Sequence, residues 1–218
     1  MIIAIDGPAA SGKSTVAKEL ALKLNFLHFC TGTMYRAITA YCIKNKLIEK
    51  LPESISSIIS DIDISFKNNN FKDLLINHSD FSNYYYTSET NKFVSQISSI
   101  NAVRKKMVLI QRSFSLNKNI VCEGRDIGTV VFPNAELKFF LEASIKCRAE
   151  RRFKEELKKN NNVTLSQLEI LIKKRDELDM SREHSPLKKS DDSILIDTTK
   201  LDVDAVVRLM YKKIKGSF

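Results

Sequence analysis

Apolar and polar positions along the chain fall into short apolar runs that alternate with longer stretches of helical period. Met1 to Ile5 is fully apolar, as a parallel strand buried on both faces should be. Lys13 to Leu24 carries Val16, Leu20 and Leu24 with Ala17 and Ala21 beside them, which predicts a helix. Thr33 to Lys46 repeats that period, with Thr31 or Thr33 as the predicted N-cap. Ile62-Asp63-Ile64-Ser65-Phe66 alternates strictly, breaks at Lys67-Asn68-Asn69-Asn70, and is followed by an apolar-rich stretch from Phe71 to Asn77. This predicts a half-exposed antiparallel hairpin around an Asn turn. One long helix is predicted over about Thr90 to Leu116, then strands at Asn119 to Cys122 and Glu136 to Leu141. Helices over about 144–159 and 165–182 are joined by Asn160-Asn161-Asn162, a loop signal. Ser193 to Ile196 is the last predicted strand and Val203 to Lys215 the last helix. No internal repeat and no linker interrupts the series. Strand alternating with helix predicts an α/β fold whose parallel sheet is covered on both faces, with the hairpin as an insertion.

Composition narrows the class without choosing a function. A chain of 218 residues suits one compact unit with an insertion, at roughly 150 residues per domain. With 43% hydrophobic and 28% charged residues, collagen-like, disordered and disulfide-scaffold proteins are excluded. A net charge of +9 favours phosphorylated or polyanionic partners but does not separate nucleic acid from nucleotide. Cys30, Cys42, Cys122 and Cys147 form no CxxC pair and read as reduced thiols. His28, His78 and His184 are isolated, with no metal-ligand spacing. No run approaches the ~18 apolar residues of a membrane span, and Met1 to Ile5 is too short for a signal-peptide core. The expectation is a soluble, cytoplasmic protein with no membrane partner.

The strongest chemical signal lies at the start. Gly7-Pro8-Ala9-Ala10-Ser11-Gly12-Lys13-Ser14, with Thr15 after it, fits GxxxxGK[ST] between an apolar strand and an amphipathic helix. The two glycines let consecutive backbone N–H groups turn inward toward phosphate oxygens, and the helix N-terminus adds its positive dipole end. Lys13 is the candidate contact for β- and γ-phosphates and Ser14 the candidate Mg²⁺ ligand. Lys13 is expected in a surface-facing loop. Asp6, at the strand end, has two open readings: it orients a water or the metal shell, or it satisfies the amides of the turn.

Such a loop serves GTPases, motors and small-molecule kinases alike, so other residues must discriminate. No NKxD exists to read guanine, and no DxxG follows an apolar strand at a switch position. Arg125 follows a predicted parallel strand and so falls at the carboxyl edge of the sheet, where ligands bind. Arg148, Arg151 and Arg152 lie on one predicted helix, either as a cationic lid or as a solvated face. Arg175 and Asp179, four apart, share a helix face and could be a simple surface ion pair. Tyr84-Tyr85-Tyr86 offers base stacking or, more simply, hairpin-edge packing.

Four segments together carry a family resemblance: Ile5-Asp6-Gly7-Pro8 into the phosphate loop, Thr31-Gly32-Thr33-Met34-Tyr35-Arg36, the run from Glu123-Gly124-Arg125-Asp126 to Phe132-Pro133, and Arg175-Asp176-Glu177-Leu178-Asp179-Met180-Ser181-Arg182. In order and spacing the chain resembles the bacterial cytidylate kinases over about residues 2 to 215. The resemblance implies one P-loop nucleoside-monophosphate-kinase domain over 1–218. Its core would be about 1–32, 117–143 and 183–218, its monophosphate-binding region about 33–116, and its helical lid about 144–182. It implies that ATP and Mg²⁺ bind at residues 7–15, and that Lys13, Arg125, Arg148 and Arg151 act on the transferring phosphoryl group. Ser95, Arg104 and Asp126 match contacts to the cytosine ring, Arg36 and Arg125 contacts to the acceptor phosphate, and Thr31 lies in the acceptor-binding segment. Arg175 and Asp179 match the pair that binds the ribose hydroxyls, and Arg182 a contact near the base or the acceptor phosphate. Two positions depart from the family: Cys30 replaces the usual Asp before Thr-Gly, and Tyr86 stands where many members carry an arginine. The expected function is ATP-dependent phosphorylation of CMP, and of dCMP, by a monomer with no stable nucleic-acid partner. A P-loop kinase for UMP or AMP, or a nucleic-acid-binding P-loop regulator using the +9 charge, are the alternatives.

Overall fold

The computed structural model describes residues 1–67, 74–158 and 163–216. In chain order the elements are β1 (Ile2–Asp6), α1 (Lys13–Leu24), β2 (Leu27–Cys30), α2 (Thr31–Lys44), α3 (Glu53–Ser56), β3 (Ile64–Phe66), β4 (Leu74–Ile76), β5 (Ser79–Asp80), α4 (Ser88–Ser99), α5 (Asn101–Phe114), β6 (Ile120–Gly124), β7 (Leu137–Glu142), α6 (Ile145–Leu157), α7 (Leu165–Met180), β8 (Ile194–Asp197) and α8 (Val203–Lys215). The chain forms two compact units, one of residues 1–28 with 118–218 and one of residues 29–117.

The first unit carries the sheet, in the order β2-β6-β1-β7-β8. β1 pairs in parallel with β6 and β7, and β7 with β8. The central strands are apolar almost throughout because both of their faces are covered. Ile3, Ile5, Val121, Phe139 and Leu141 pack with Val16, Ala17 and Leu20 of α1 and Val206, Met210 and Ile214 of α8. In register, Asp6 of β1 lies beside Gly124 of β6, so the loops after these two strands leave the sheet side by side at its carboxyl edge. β2 is absent from the reading of the sequence. It has only four residues, one of them His28, and occupies the sheet edge, where burial on both faces is not required.

The second unit holds α2, α4 and α5 with a small sheet in the order β3-β4-β5. The expected hairpin is β3 against β4, antiparallel with Ile64 opposite Ile76; its Asn68–Asn70 turn lies outside the described residues. β5 adds a third strand through Asn77 and His78, both with positive φ (48° and 62°), as a two-residue hairpin turn requires. With only two polar residues, β5 leaves no alternation to detect.

The helix expected over Thr90 to Leu116 is two helices, broken at Ile100, whose ψ of 119° is extended. Ser98 and Ser99 explain the break: their hydroxyls donate back to Ser95 O and Gln96 O, competing with the helical ladder. The Ser98 carbonyl freed at the break accepts from Arg104 Nη1 at 2.9 Å. A second correction concerns α2, whose N-cap is Cys30, with Thr31 and Thr33 both inside the helix and no side-chain cap bond.

Candidate active site

The phosphate loop follows β1 directly, and both of its glycines have positive φ, Gly7 being fixed by space as well. A Cβ on Gly7 (φ +149°) would lie 2.1 Å from the Leu141 carbonyl oxygen of the neighbouring strand. Gly12 (φ +91°) is the N-cap of α1, and no side chain caps the first amides of that helix. Those amides and the helix dipole therefore present positive potential to an anion. Lys13 is buried, against the expectation of a surface-facing side chain: its Nζ turns back into the loop to donate to Pro8 O at 2.6 Å and Ser11 Oγ at 3.3 Å. Burial, then the nearby Arg125 guanidinium, pull its pKa well below the ordinary lysine range. Ser14 and Thr15 are exposed at the start of α1.

Two residues that sequence reasoning left without a role complete this corner. Ser14 Oγ donates to Glu123 Oε2 at 2.7 Å, and the other carboxylate oxygen meets His28 Nε2 at 3.1 Å. Glu123 is the last residue but one of β6 and is buried. Burial pushes its pKa up, but the bonds from His28 and Ser14 and the charge of Lys13 outweigh that and hold it below the ordinary carboxylate range. The run Cys122-Glu123 at a strand end was a visible signal; what it lacked was the knowledge that β6 lies next to β1. Hydroxyl and ionised carboxylate are hard oxygen donors, the kind Mg²⁺ takes, so this pair fits the metal expected at Ser14. Glu123→Gln is expected to raise the Mg²⁺ concentration for half-maximal activity by about tenfold or more. A titration of rate against Mg²⁺ checks it, and an unchanged midpoint would leave Glu123 as a structural partner of His28.

Beyond β6 the chain turns through Arg125 and Asp126 into a five-residue π-helix, 127–131. Asp126 is buried at its start. Asp6 satisfies the backbone of this turn instead of its own: its carboxylate oxygens accept from the Ile127 and Gly128 amides.

The arginines of this unit separate into two groups. Asp179, 1% exposed, accepts from Arg125 Nε at 2.9 Å and from Arg182 Nη2, and the charge of Arg175 also acts on it. The surface-pair reading of Arg175 and Asp179 is therefore replaced by a buried carboxylate organising a cluster of arginines. Burial raises the Asp179 pKa, but Arg125, Arg182 and Arg175 together hold it below the ordinary range. The second group is on α6. Arg148 Nη1 donates to Ala9 O at 3.1 Å and Asp176 Oδ2 at 2.5 Å, and its Nε to Ala143 O. Arg151 donates to Ser11 O at 3.3 Å and to both oxygens of Thr198. Both grip the phosphate loop from its carbonyl side, so neither belongs to a solvated face. Arg152 does: it is half-buried and pairs with Glu155 and Glu156 along the helix.

The remaining predicted residues lie in the second unit. Thr31 is buried in the first turn of α2. Arg36 Nη1 donates to Tyr85 O at 2.8 Å and Asn91 Oδ1 at 2.7 Å, and its guanidinium sits 4.9 Å from the centre of the Tyr86 ring. Tyr86 thus meets Arg36 as a cation–π partner. Tyr85 is buried with its hydroxyl near Leu74 O (3.4 Å), and Tyr84 lies under Lys44, so the triplet packs this unit. Ser95 on α4 and Arg104 on α5 are both bonded to Ser98 at the break between these helices: Ser98 Oγ donates to Ser95 O, and Arg104 Nη1 donates to Ser98 O. Arg104 is buried, with its guanidinium 5.3 Å from the Tyr35 ring centre.

The family model described as cytidylate kinase matches residues 3–216. A cytidylate kinase from Fusobacterium nucleatum subsp. nucleatum is 42% identical over 215 residues, covering 99% of this chain and 97% of that protein. One from Halalkalibacterium halodurans is 44% identical over 216 residues, with the same coverage. In fold, the chain resembles the crystal structure of an uncharacterized protein from Eubacterium ventriosum, with TM-score 0.56 and 16% identity over 99% of this chain and 98% of the other.

Proposed function

The chain belongs to the cytidylate kinase family, and from that premise we propose that it transfers the γ-phosphoryl group of ATP to CMP, and to dCMP, giving ADP and CDP or dCDP. One observation carries the reading. Lys13, which opens the helix after β1, and Arg125, which follows the neighbouring parallel strand β6, are close enough for Arg125 to depress the Lys13 pKa. Two cations held together at a sheet edge are stabilised by anions placed between them, and two phosphate chains supply those anions.

In this reading a CMP phosphate oxygen attacks the γ-phosphorus while its bond to the bridging oxygen of ADP breaks. No side chain need form a covalent bond, so the residues act by position and charge. The loop amides of residues 7–15 hold the ATP phosphates, and polyphosphate charge favours the protonated form of Lys13. Ser14 and Glu123 would hold Mg²⁺, which would supply positive charge against the phosphates. Arg148 and Arg151 add charge behind the loop and hold its carbonyls, which keeps the amides facing the phosphates. Arg125, with Arg36, takes the acceptor phosphate; Arg182 shares the Asp179 carboxylate with Arg125. Arg175 and Asp179 hold the ribose hydroxyls, and Thr31 lines the acceptor segment. The protein is proposed to work as a monomer in the cytoplasm, without a nucleic-acid partner. Among the described residues no helix is long and apolar enough to cross a membrane. The test is initial ADP formation with CMP, dCMP, UMP, AMP and GMP. Release that CMP and dCMP alone stimulate supports the reading. A preference for UMP or AMP would move the chain to another acceptor, and no stimulation with salt-dependent RNA or DNA binding would favour the regulator.

Base choice follows from hydrogen-bond polarity. Cytosine presents an amine where uracil presents a carbonyl, and an ionised carboxylate only accepts. Asp126, with Ser95 and Arg104, therefore reads the cytosine edge in the proposed complex. A mismatched buried polar group costs about 1–3 kcal/mol, so kcat/KM for UMP should be at least about tenfold below that for CMP. Asp126→Asn can turn an amide to donate, so the CMP-to-UMP ratio should narrow. Equal losses for both nucleotides would make Asp126 a scaffold for arginines.

A further inference from the structure

We infer that Asp6 is a positioning residue for the acceptor segment: from the strand that feeds the phosphate loop, it fixes the backbone that presents Arg125 and Asp126. Its side chain is buried, at 3% exposure. Oδ1 accepts from Ile127 N at 2.8 Å and Oδ2 from Gly128 N at 2.7 Å. Two successive amides pointing one way need two acceptors in one plane, and only a carboxylate among the side chains supplies them.

The bonds fall where they bear on the acceptor. The Asp126 carbonyl accepts from Val130 N at 2.9 Å and Val131 N at 3.1 Å, closing the π-turn. The Asp126 carbonyl is thus held by that turn, and the two amides that follow Asp126 in the same turn are held by Asp6. Gly128 permits the approach. A Cβ there would lie 3.1 Å from Lys138 Cδ and 3.4 Å from Asp6 Oδ2, a space already filled. Keeping a carboxylate here is costly, as its pKa of about 6 records. Burial is the main cause, the Gly128 and Ile127 amides and Lys13 oppose it, and Asp126 adds to it. A group that only needed to fill the turn would not have to be acidic. Because Asp6 immediately precedes Gly7, the same strand end holds the phosphate loop and the acceptor turn in one frame.

The inference rests on the proposed acceptor roles of Arg125 and Asp126, and its test separates the two. Asp6→Asn retains one acceptor and turns an amide toward the second N–H. Gly128→Ala leaves the carboxylate intact but pushes the turn away from it. Steady-state kinetics of the full chain, varying CMP at saturating ATP and ATP at saturating CMP, should show KM for CMP rising about tenfold in each variant. KM for ATP should stay within about twofold, and the CMP-to-UMP ratio should narrow. Equal rises in both KM values, or a fall in kcat with neither KM changed, would overturn the inference and make Asp6 a support of the phosphate loop alone. So would wild-type kinetics. If Asp6→Asn does not fold, Gly128→Ala decides by the same criteria. Asp126→Asn provides the control on the premise. If it leaves the CMP-to-UMP ratio unmoved, the base is read elsewhere, and a selective rise in KM for CMP still supports Asp6 acting through Arg125.

Discussion

Lys13→Ala is expected to lower kcat by at least about 10²–10³, the loss typical of removing one preorganised charge or donor from a transition state. Its Nζ lies inside the loop, bonded to Pro8 O and Ser11 Oγ. The fold should survive. Burial and Arg125 already disfavour the charged ammonium, so alanine removes a cost along with two hydrogen bonds. The melting temperature should therefore move by only about 2–4 °C, corresponding to about 1 kcal/mol in a chain of this size. Paired measurement of ADP release and thermal unfolding checks both halves. Activity within tenfold of the unsubstituted protein would refute the assignment of the loop as the phosphate site.

Asp179→Ala should be the most destabilising single change in the site and should also damage turnover. Its carboxylate joins Arg125 and Arg182, and removing it leaves guanidiniums packed together without their anion. Breaking a buried pair costs about 3–5 kcal/mol, which is about 6–20 °C in melting temperature for 150–250 residues. Loss of Arg125 orientation adds a fall in kcat/KM for CMP, because an acceptor phosphate needs a fixed fork of donors. The pH dependence has a definite sign. The folded pKa of Asp179 is depressed, so the stability it contributes is present above the unfolded value of 3.8 and is lost as pH falls below it. Unfolding curves of the wild type and Asp179→Asn should therefore differ at pH 7 and converge at low pH. A constant difference across pH would mean that Asp179 acts by packing and not by charge.

The order of strands and helices and the phosphate loop were legible in the sequence, and particular residues show why. Gly7, Gly12, Lys13 and Ser14 sit within eight positions, between a strand and a helix whose periods are local. Each constraint there, a φ that only glycine adopts easily or an amide at a helix start, spans a few residues and so leaves a spacing. The same locality explains the errors. The break at Ile100 depends on which acceptors Ser98 and Ser99 find, and the short edge strand β2 has too few residues to establish a period.

What the tertiary structure alone decided is which distant residues share a corner. Ser14 meets Glu123 across 109 positions, Asp6 meets Ile127 across 121, and Asp179 meets Arg125 across 54. No periodicity encodes such pairs. They arise because the sheet places β6 and β7 on either side of β1, so that segments far apart in the chain emerge together at one edge. The sequence determined that a phosphate loop exists; the strand order determined that a buried carboxylate, a clamped turn and a cluster of arginines stand beside it. Charge and hydrogen-bond energies fall off over a few ångströms of space, whatever the separation along the chain.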